Sequence, residues 1–164
     1  MKKILPILRH PNPILREKSL SVKADTVSSG AWKEFLANLE ATMLEKDGVG
    51  LAAPQVGVSQ RIIVIRHEKK NIFLINPEIV KKSWARITDE EGCLSVTDEE
   101  GRILYGKVER HKKVICRYID TKGKPQRLEA EEFLARVLQH EIDHLDGILF
   151  IDKLKTPELH AIEN

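Results

Sequence analysis

The segment Ala130-Glu131-Glu132-Phe133-Leu134-Ala135-Arg136-Val137-Leu138-Gln139-His140-Glu141-Ile142-Asp143-His144-Leu145 decides how this chain is read. Leu134, Val137, Leu138 and Leu145 give it an apolar face at helical spacing, and Gly147 stops it. An α-helix turns once in about 3.6 residues, so positions four apart share a face. His140 and His144 can therefore grip one cation, with Glu141 beside them to touch a water. H-E-x-x-H on a helix reads as two metal ligands and a general base. Such short motifs also arise by chance, and a histidine pair on a helix also occurs as core or surface. The apolar surroundings favour metal, because two histidines and a glutamate are costly to bury unless something satisfies them.

A catalytic tetrahedral site needs a third protein ligand and an open position. One large protease group extends the motif to H-E-x-x-H-x-x-G-x-x-H. This chain follows it through Gly147 and then places Phe150 where the last histidine would stand. Glu158 and Glu163 lie in a short polar tail after Pro157, a poor place to hold a ligand rigidly. The best remaining donor is Cys93, in Glu91-Gly92-Cys93-Leu94-Ser95. A thiolate is a strong soft ligand, and Gly92 lets the backbone approach closely. Alone, Cys93 reads as an inert buried thiol; it becomes a ligand candidate only together with the helix motif. Cys116, within Val114-Ile115-Cys116, reads as a small buried hydrophobe.

Outward from these segments, 164 residues with 41% apolar and 32% charged content suit one domain over 1–164. Lys plus Arg is 27 and Asp plus Glu 25, a net charge of +2, which leaves no one-signed footprint for nucleic acid. Lys69-Lys70, Lys81-Lys82 and Lys112-Lys113 read as solvated turns and strand ends. Pro6 and Arg9-His10-Pro11 interrupt the apolar start before a signal-peptide core forms, and no run approaches the roughly 18 apolar residues that cross a bilayer. Two cysteines make no disulfide framework, so a cytoplasmic protein without membrane contact is expected.

Residues 4–20 should form an extended, proline-rich arm. Trp32, Phe35, Leu36, Leu39, Met43 and Leu44 predict a helix, capped by Ser28 or Ser29 and ended by Asp47-Gly48. Strands are predicted at Ile62–Ile65, Ile72–Ile75, from Ile79, at Lys113–Ile119 and at Gln126–Ala130. Asn76-Pro77 and Asp120–Gly123 read as turns. The tail 156–164 reads as disordered or as a stub of helix. Strands clustered between two helices give an α+β class with mainly antiparallel sheets.

Three segments together resemble the peptide deformylases: Gly48-Val49-Gly50-Leu51-Ala52-Ala53-Pro54-Gln55-Val56-Gly57, then Glu91 to Ser95, then Gln139 to Leu145. They stand in the family's order and at similar separations, and the likeness extends from the proline-rich arm to Leu154. The resemblance implies antiparallel β-sheets packed around a central helix carrying the motif. It implies Cys93, His140 and His144 as metal ligands, Glu141 as general base and acid, and Gln55 with the Leu94 N–H as oxyanion donors. Val49, Gly50 and Gly92 would meet the substrate, with Val49, Phe133 and Val137 lining a methionine pocket. The implied metal is Fe2+, with Zn2+, Ni2+ or Co2+ compatible with the same ligands. The implied substrates are nascent formyl-methionyl polypeptides, with transient ribosome contact and a monomeric state.

Thr97 stands where many members carry proline, Asp98-Glu99-Glu100 is unusually acidic, and Val108-Glu109-Arg110 replaces a common V-P-R. These departures bear on substrate preference and leave the ligands intact. Two other readings stay open here: a zinc protease cutting internal bonds, opposed by Phe150, and a non-catalytic metal protein, which would need neither Glu141 nor Gln55.

Overall fold

The computed structural model describes residues 2–162. Strand β2 (Ile62–His67) shows how its layers are organised, since Ile62, Ile63, Val64 and Ile65 are all fully buried. Successive strand residues point to opposite faces, so a continuous apolar run needs cover on both. Ile63 and Ile65 cluster with Leu138, Ile142 and Leu145 of α3 (Glu132–Leu145). Ile62 and Val64 cluster with Leu36, Leu39 and Met43 of α2 (Lys33–Glu45). Each such side chain contributes on the order of 1.5–3 kcal/mol when fully buried.

β2 belongs to a five-stranded antiparallel sheet in the order β1-β2-β3-β6-β7. Its other strands are β1 (Gly50–Ala52), β3 (Lys70–Lys82), β6 (Lys113–Ile119) and β7 (Pro125–Glu131). A second antiparallel sheet orders β4 (Arg86–Thr97), β5 (Ile103–His111) and β8 (His160–Ala161). Antiparallel sheets around a buried helix are the expected α+β arrangement. Cys93, Val96 and Val108 of the second sheet pack with Leu149 and Phe150, just after α3. β1 and β4 are each an edge of their sheet, and both border the site described below.

Local details depart from expectation. Neither Ser28 nor Ser29 caps α2. Ser28 closes a separate short helix, α1 (Ala24–Ser28), and α2 begins after Trp32 without a side-chain cap. Asn76-Pro77 does not turn the chain, because β3 runs straight through it. Asn76 adopts a left-handed φ of 51°, and its amide bonds both the N–H and the C=O of Val22 at 2.8 Å. The register with β6 shifts beside it, so the segment is a bulge whose irregular backbone a side chain satisfies. β4 and β5 escaped notice because their charged faces hide the alternation. The tail is neither helix nor disorder, since His160 and Ala161 pair with Tyr105 and Leu104.

Gly147 ends α3 at φ +73°. A side chain there would also strike the carbonyl of Arg16 in the N-terminal arm. Gly147→Ala should therefore cost at least about 2 kcal/mol, seen as a fall of at least about 4 °C in thermal midpoint. An unchanged midpoint would show that the arm yields at this point.

Candidate metal centre

α3 is buried from Ala135 to Ile142, including its polar residues, because one side meets the five-stranded sheet and the other meets β4 and β5. His140, Glu141 and His144 are thus all withdrawn from solvent. Opposite them lies Cys93, also buried, whose Sγ is 3.3 Å from His144 Nε2. One donor atom each from Cys93, His140 and His144 falls within 4.8 Å of the others. Burial pushes His144 well below its ordinary range, with help from His140, which keeps the imidazole in the neutral form that ligates metals.

His140 is oriented by Glu91. Its Nδ1 lies 2.8 Å from Glu91 Oε2, which leaves Nε2 for a cation. Glu91 Oε2 also accepts from Arg110 Nη2 at 3.0 Å, and Oε1 accepts from Arg110 Nε and Arg136 Nη1, each at 2.8 Å. Burial alone would raise the Glu91 carboxyl, but the bonds from Arg110 and His140 outweigh it and hold the group far below the usual carboxylate range. Arg110 also pairs with Asp143, and Arg136 also donates to the carbonyls of Val108 and Ile87.

Glu141 has the opposite character. Its Oε2 is buried and finds no hydrogen-bond partner among the described residues. Burial pushes its carboxyl up to about 7, with Glu91 adding to the rise and His140 and Arg110 opposing it. A Cβ at Gly50 would sit 2.5 Å from Glu141 Oε1, so only glycine leaves the carboxylate its place.

Gln55 sits in a 3-10 turn, Ala53–Val56. Its Oε1 accepts from Ala52 N–H at 2.9 Å, which aims the amide nitrogen at Ser95 Oγ (3.1 Å) and Cys93 Sγ (3.5 Å). The N-terminal arm braces both sides: Leu8 N–H donates to Gln55 O and His10 N–H to Ser95 O, each at 2.7 Å. Leu94 stands where the β4–β5 register breaks, between Gly92 and Thr97.

A cavity of about 300 Å³ opens onto this cluster. Val49, Gly50, Gln55, Gly92, Cys93, Leu94, Phe133, Val137, His140 and Glu141 all line it, so the residues singled out from sequence converge. Val49 and Phe133 remain largely exposed at its mouth. Phe150 is buried with its ring stacked on His140, the centroids 6.2 Å apart, so it packs the ligand rather than replacing it. Glu158 is exposed in the tail, and Glu163 lies outside the described residues. One sulfur and two imidazole nitrogens suit a divalent transition metal, and an unsatisfied buried carboxylate beside them suits its water.

A family profile describing polypeptide deformylases matches residues 4–160. The chain belongs to that family. Its activity is removal of the formyl group from the N-terminus of newly made polypeptides, and its members are metal-dependent hydrolases. A peptide deformylase of Desulforudis audaxviator is 46% identical over 154 residues, covering 93% of this chain and 95% of the relative. A class I type b deformylase of Acinetobacter baumannii, solved with Met-Ala-Ser bound, superposes with a TM-score of 0.87 at 36% identity, covering 94% of this chain and all of that one. The deformylase of Thermotoga maritima gives 0.84 at 37% identity, over 93% of this chain and 99% of that one.

Sequence reasoning missed the deformylase site's inner support: Arg110, Arg136 and Ser95. Arg136 carried a signal, being one helical turn before His140 on a helix otherwise buried there. Arg110 and Ser95 come from β5 and β4, whose placement opposite α3 no local pattern reveals.

Glu91→Gln should leave two guanidinium groups without their anion. We expect about 3–5 kcal/mol less stability and about 10–100-fold weaker metal affinity. Because the folded-state pKa of Glu91 is depressed, its contribution is present above the ordinary value of 4.5 and is lost as pH falls. The variant should therefore show a flatter acid limb in a plot of stability against pH. Equal acid limbs would remove Glu91 from this role.

Proposed function

We propose that Cys93, His140 and His144 hold the metal of this deformylase, that Glu141 is its general base and acid, and that Gln55 and the Leu94 N–H stabilise the oxyanion. The observation carrying this assignment is a single buried carboxylate, Glu141, with an unsatisfied oxygen beside three converging donor atoms on the wall of a cavity. When bound, the cation supplies Lewis acidity, making water acidic enough to yield hydroxide near neutral pH.

The chain's own groups do the rest. Glu141 accepts a proton from the attacking water at its carboxylate. The hydroxyl adds to the formyl carbon, and negative charge gathers on the formyl oxygen. The Gln55 Nε2 amide and the Leu94 N–H donate to that oxygen, a contribution of about 3–4 kcal/mol for a well-placed donor. Glu141 then returns its proton to the departing nitrogen, the carbon–nitrogen bond breaks, and formate and a free amine leave. A carboxyl poised near neutrality suits both transfers.

The free edges of β1 and β4 border the cavity, so an extended peptide can add between them as a strand. The Met-Ala-Ser seen in the Acinetobacter relative supports a substrate of that shape. Val49, Phe133 and Val137 would receive the methionine side chain. The metal is ferrous iron in this reading, with zinc, nickel or cobalt as functional substitutes. Residues 1–164 act as one catalytic unit, a cytoplasmic monomer meeting nascent chains through transient ribosome contact, without reading nucleic acid. No described helix is long and apolar enough to cross a membrane.

Formate release from formyl-Met-Ala-Ser by anaerobically purified protein tests the reading. Glu141→Ala should keep its metal and lose at least about 100-fold in kcat. A variant that stays active would remove Glu141 from the chemistry. A ferrous centre should lose activity in air and regain it on anaerobic reconstitution; an air-stable, fully active zinc form would reject iron.

Gly50→Ala should displace the Glu141 carboxylate and lower kcat at least about tenfold at unchanged metal content. Normal turnover in that variant would mean the carboxylate is free to move.

A further inference from the structure

Along β4, Glu91 and Cys93 turn inward to the metal cluster, while Glu90 and Gly92 alternate to the other face and still line the cavity. That outer face is built with the tail. A Cβ at Gly92 would meet the Tyr105 ring at 2.5 Å, so the ring lies flat against the strand. A Cβ at Gly106 would meet Leu154 and Leu159, so these side chains fill the space that glycine leaves. β8 then pairs His160 with Tyr105, their rings 6.3 Å apart. From there His160 Nε2 reaches Glu90 Oε1 at 3.2 Å.

Glu90 is unusual in its partner. Glu109 is met by Lys155 and Arg86, Asp98 by Arg102, and Glu78 by Arg117. Among the described residues Glu90 pairs only with an imidazole. The other charges lining the cavity balance: Lys46 stands beside Asp47, and Glu91 is paired with Arg136. The mouth therefore carries one uncompensated negative charge, on an edge strand that a peptide would follow.

We propose that Glu90, clasped by His160 of the tail strand, selects substrates with a positively charged side chain directly after the methionine. This rests on the deformylase reading and extends it to substrate preference. Adjacent residues of an extended peptide are about 3.4 Å apart, so a lysine there lies within a long side chain's reach of the lip. Exposed charge pairs are weak, so the effect should be about two- to fivefold per pair and should shrink with salt. Glu90 acts on binding, and His160 is a positioning residue that acts through it.

The test compares formyl-Met-Lys-Lys, formyl-Met-Gln-Gln and formyl-Met-Glu-Glu at low ionic strength, with metal-replete full-length enzyme. Wild type should favour the lysine peptide over the glutamate peptide through KM, with similar kcat. Glu90→Gln should bring that ratio toward one, and Glu90→Lys should invert it. His160→Phe keeps a ring against Tyr105 but no nitrogen for Glu90. It should lower the ratio while leaving the glutamine peptide unchanged. A ratio unmoved by Glu90→Gln overturns the proposal. An equal loss on all three peptides in His160→Phe overturns the clasp. No formate from any peptide with wild type would overturn the deformylase reading itself, a result distinct from turnover without charge preference.

Discussion

Glu91 accepts four hydrogen bonds at a point where water cannot help it: two from Arg110, one from Arg136 and one from His140. Those donors come from β5 and α3, while Glu91 itself lies on β4. One carboxylate thus ties the second sheet to the helix that the first sheet surrounds. Taking such charges out of water costs several kcal/mol per ion, and their attraction roughly repays it, so the cluster adds little net stability. What it supplies is orientation. His140 is held with one ring nitrogen engaged and the other free, and Cys93 follows two residues along the strand.

The rest of the fold makes that cluster possible. β2 is covered on one face by α2 and on the other by α3, so α3 is fixed against a rigid sheet. With its apolar side settled, the polar side of α3 can only face β4 and β5. The proline-rich arm closes the arrangement. It is pinned to α2 through Asn38 and Thr42 and reaches the carbonyls of Gln55 and Ser95. A site of buried polar groups needs this bracing, because each unsatisfied group in a dry interior is costly.

The parts most legible in the sequence were those whose information is local. The helix over 130–145 emerged as Glu132–Leu145, and the hairpin of 113–119 with 126–130 emerged as Lys113–Ile119 with Pro125–Glu131. The metal ligands were legible because two sit one turn apart and the third is a cysteine beside a glycine. β4 and β5 were not, because Thr88, Asp89, Glu90 and Glu109 break any apolar alternation. Asn76 misled for a related reason. Asn-Pro is turn chemistry in isolation, and only the distant Val22 converts it into a bulge. Long-range partners decided each miss.

Phe150 shows why the third donor had to come from outside the helix. In the longer protease motif the third ligand follows on the same stretch of chain. Here that position carries an aromatic ring that packs on His140 and closes the core beneath β4 and β5. The donor atoms are therefore split between two layers, the sulfur on β4 and the nitrogens on α3. A cation held by all three would bind only the docked arrangement of those layers. Whatever binds the folded state alone stabilises it by mass action, about 2.7 kcal/mol at a hundred times its dissociation constant. Metal occupancy and the docking of the second sheet are thus one linked equilibrium, with Glu91 holding the layers close enough for the linkage to begin.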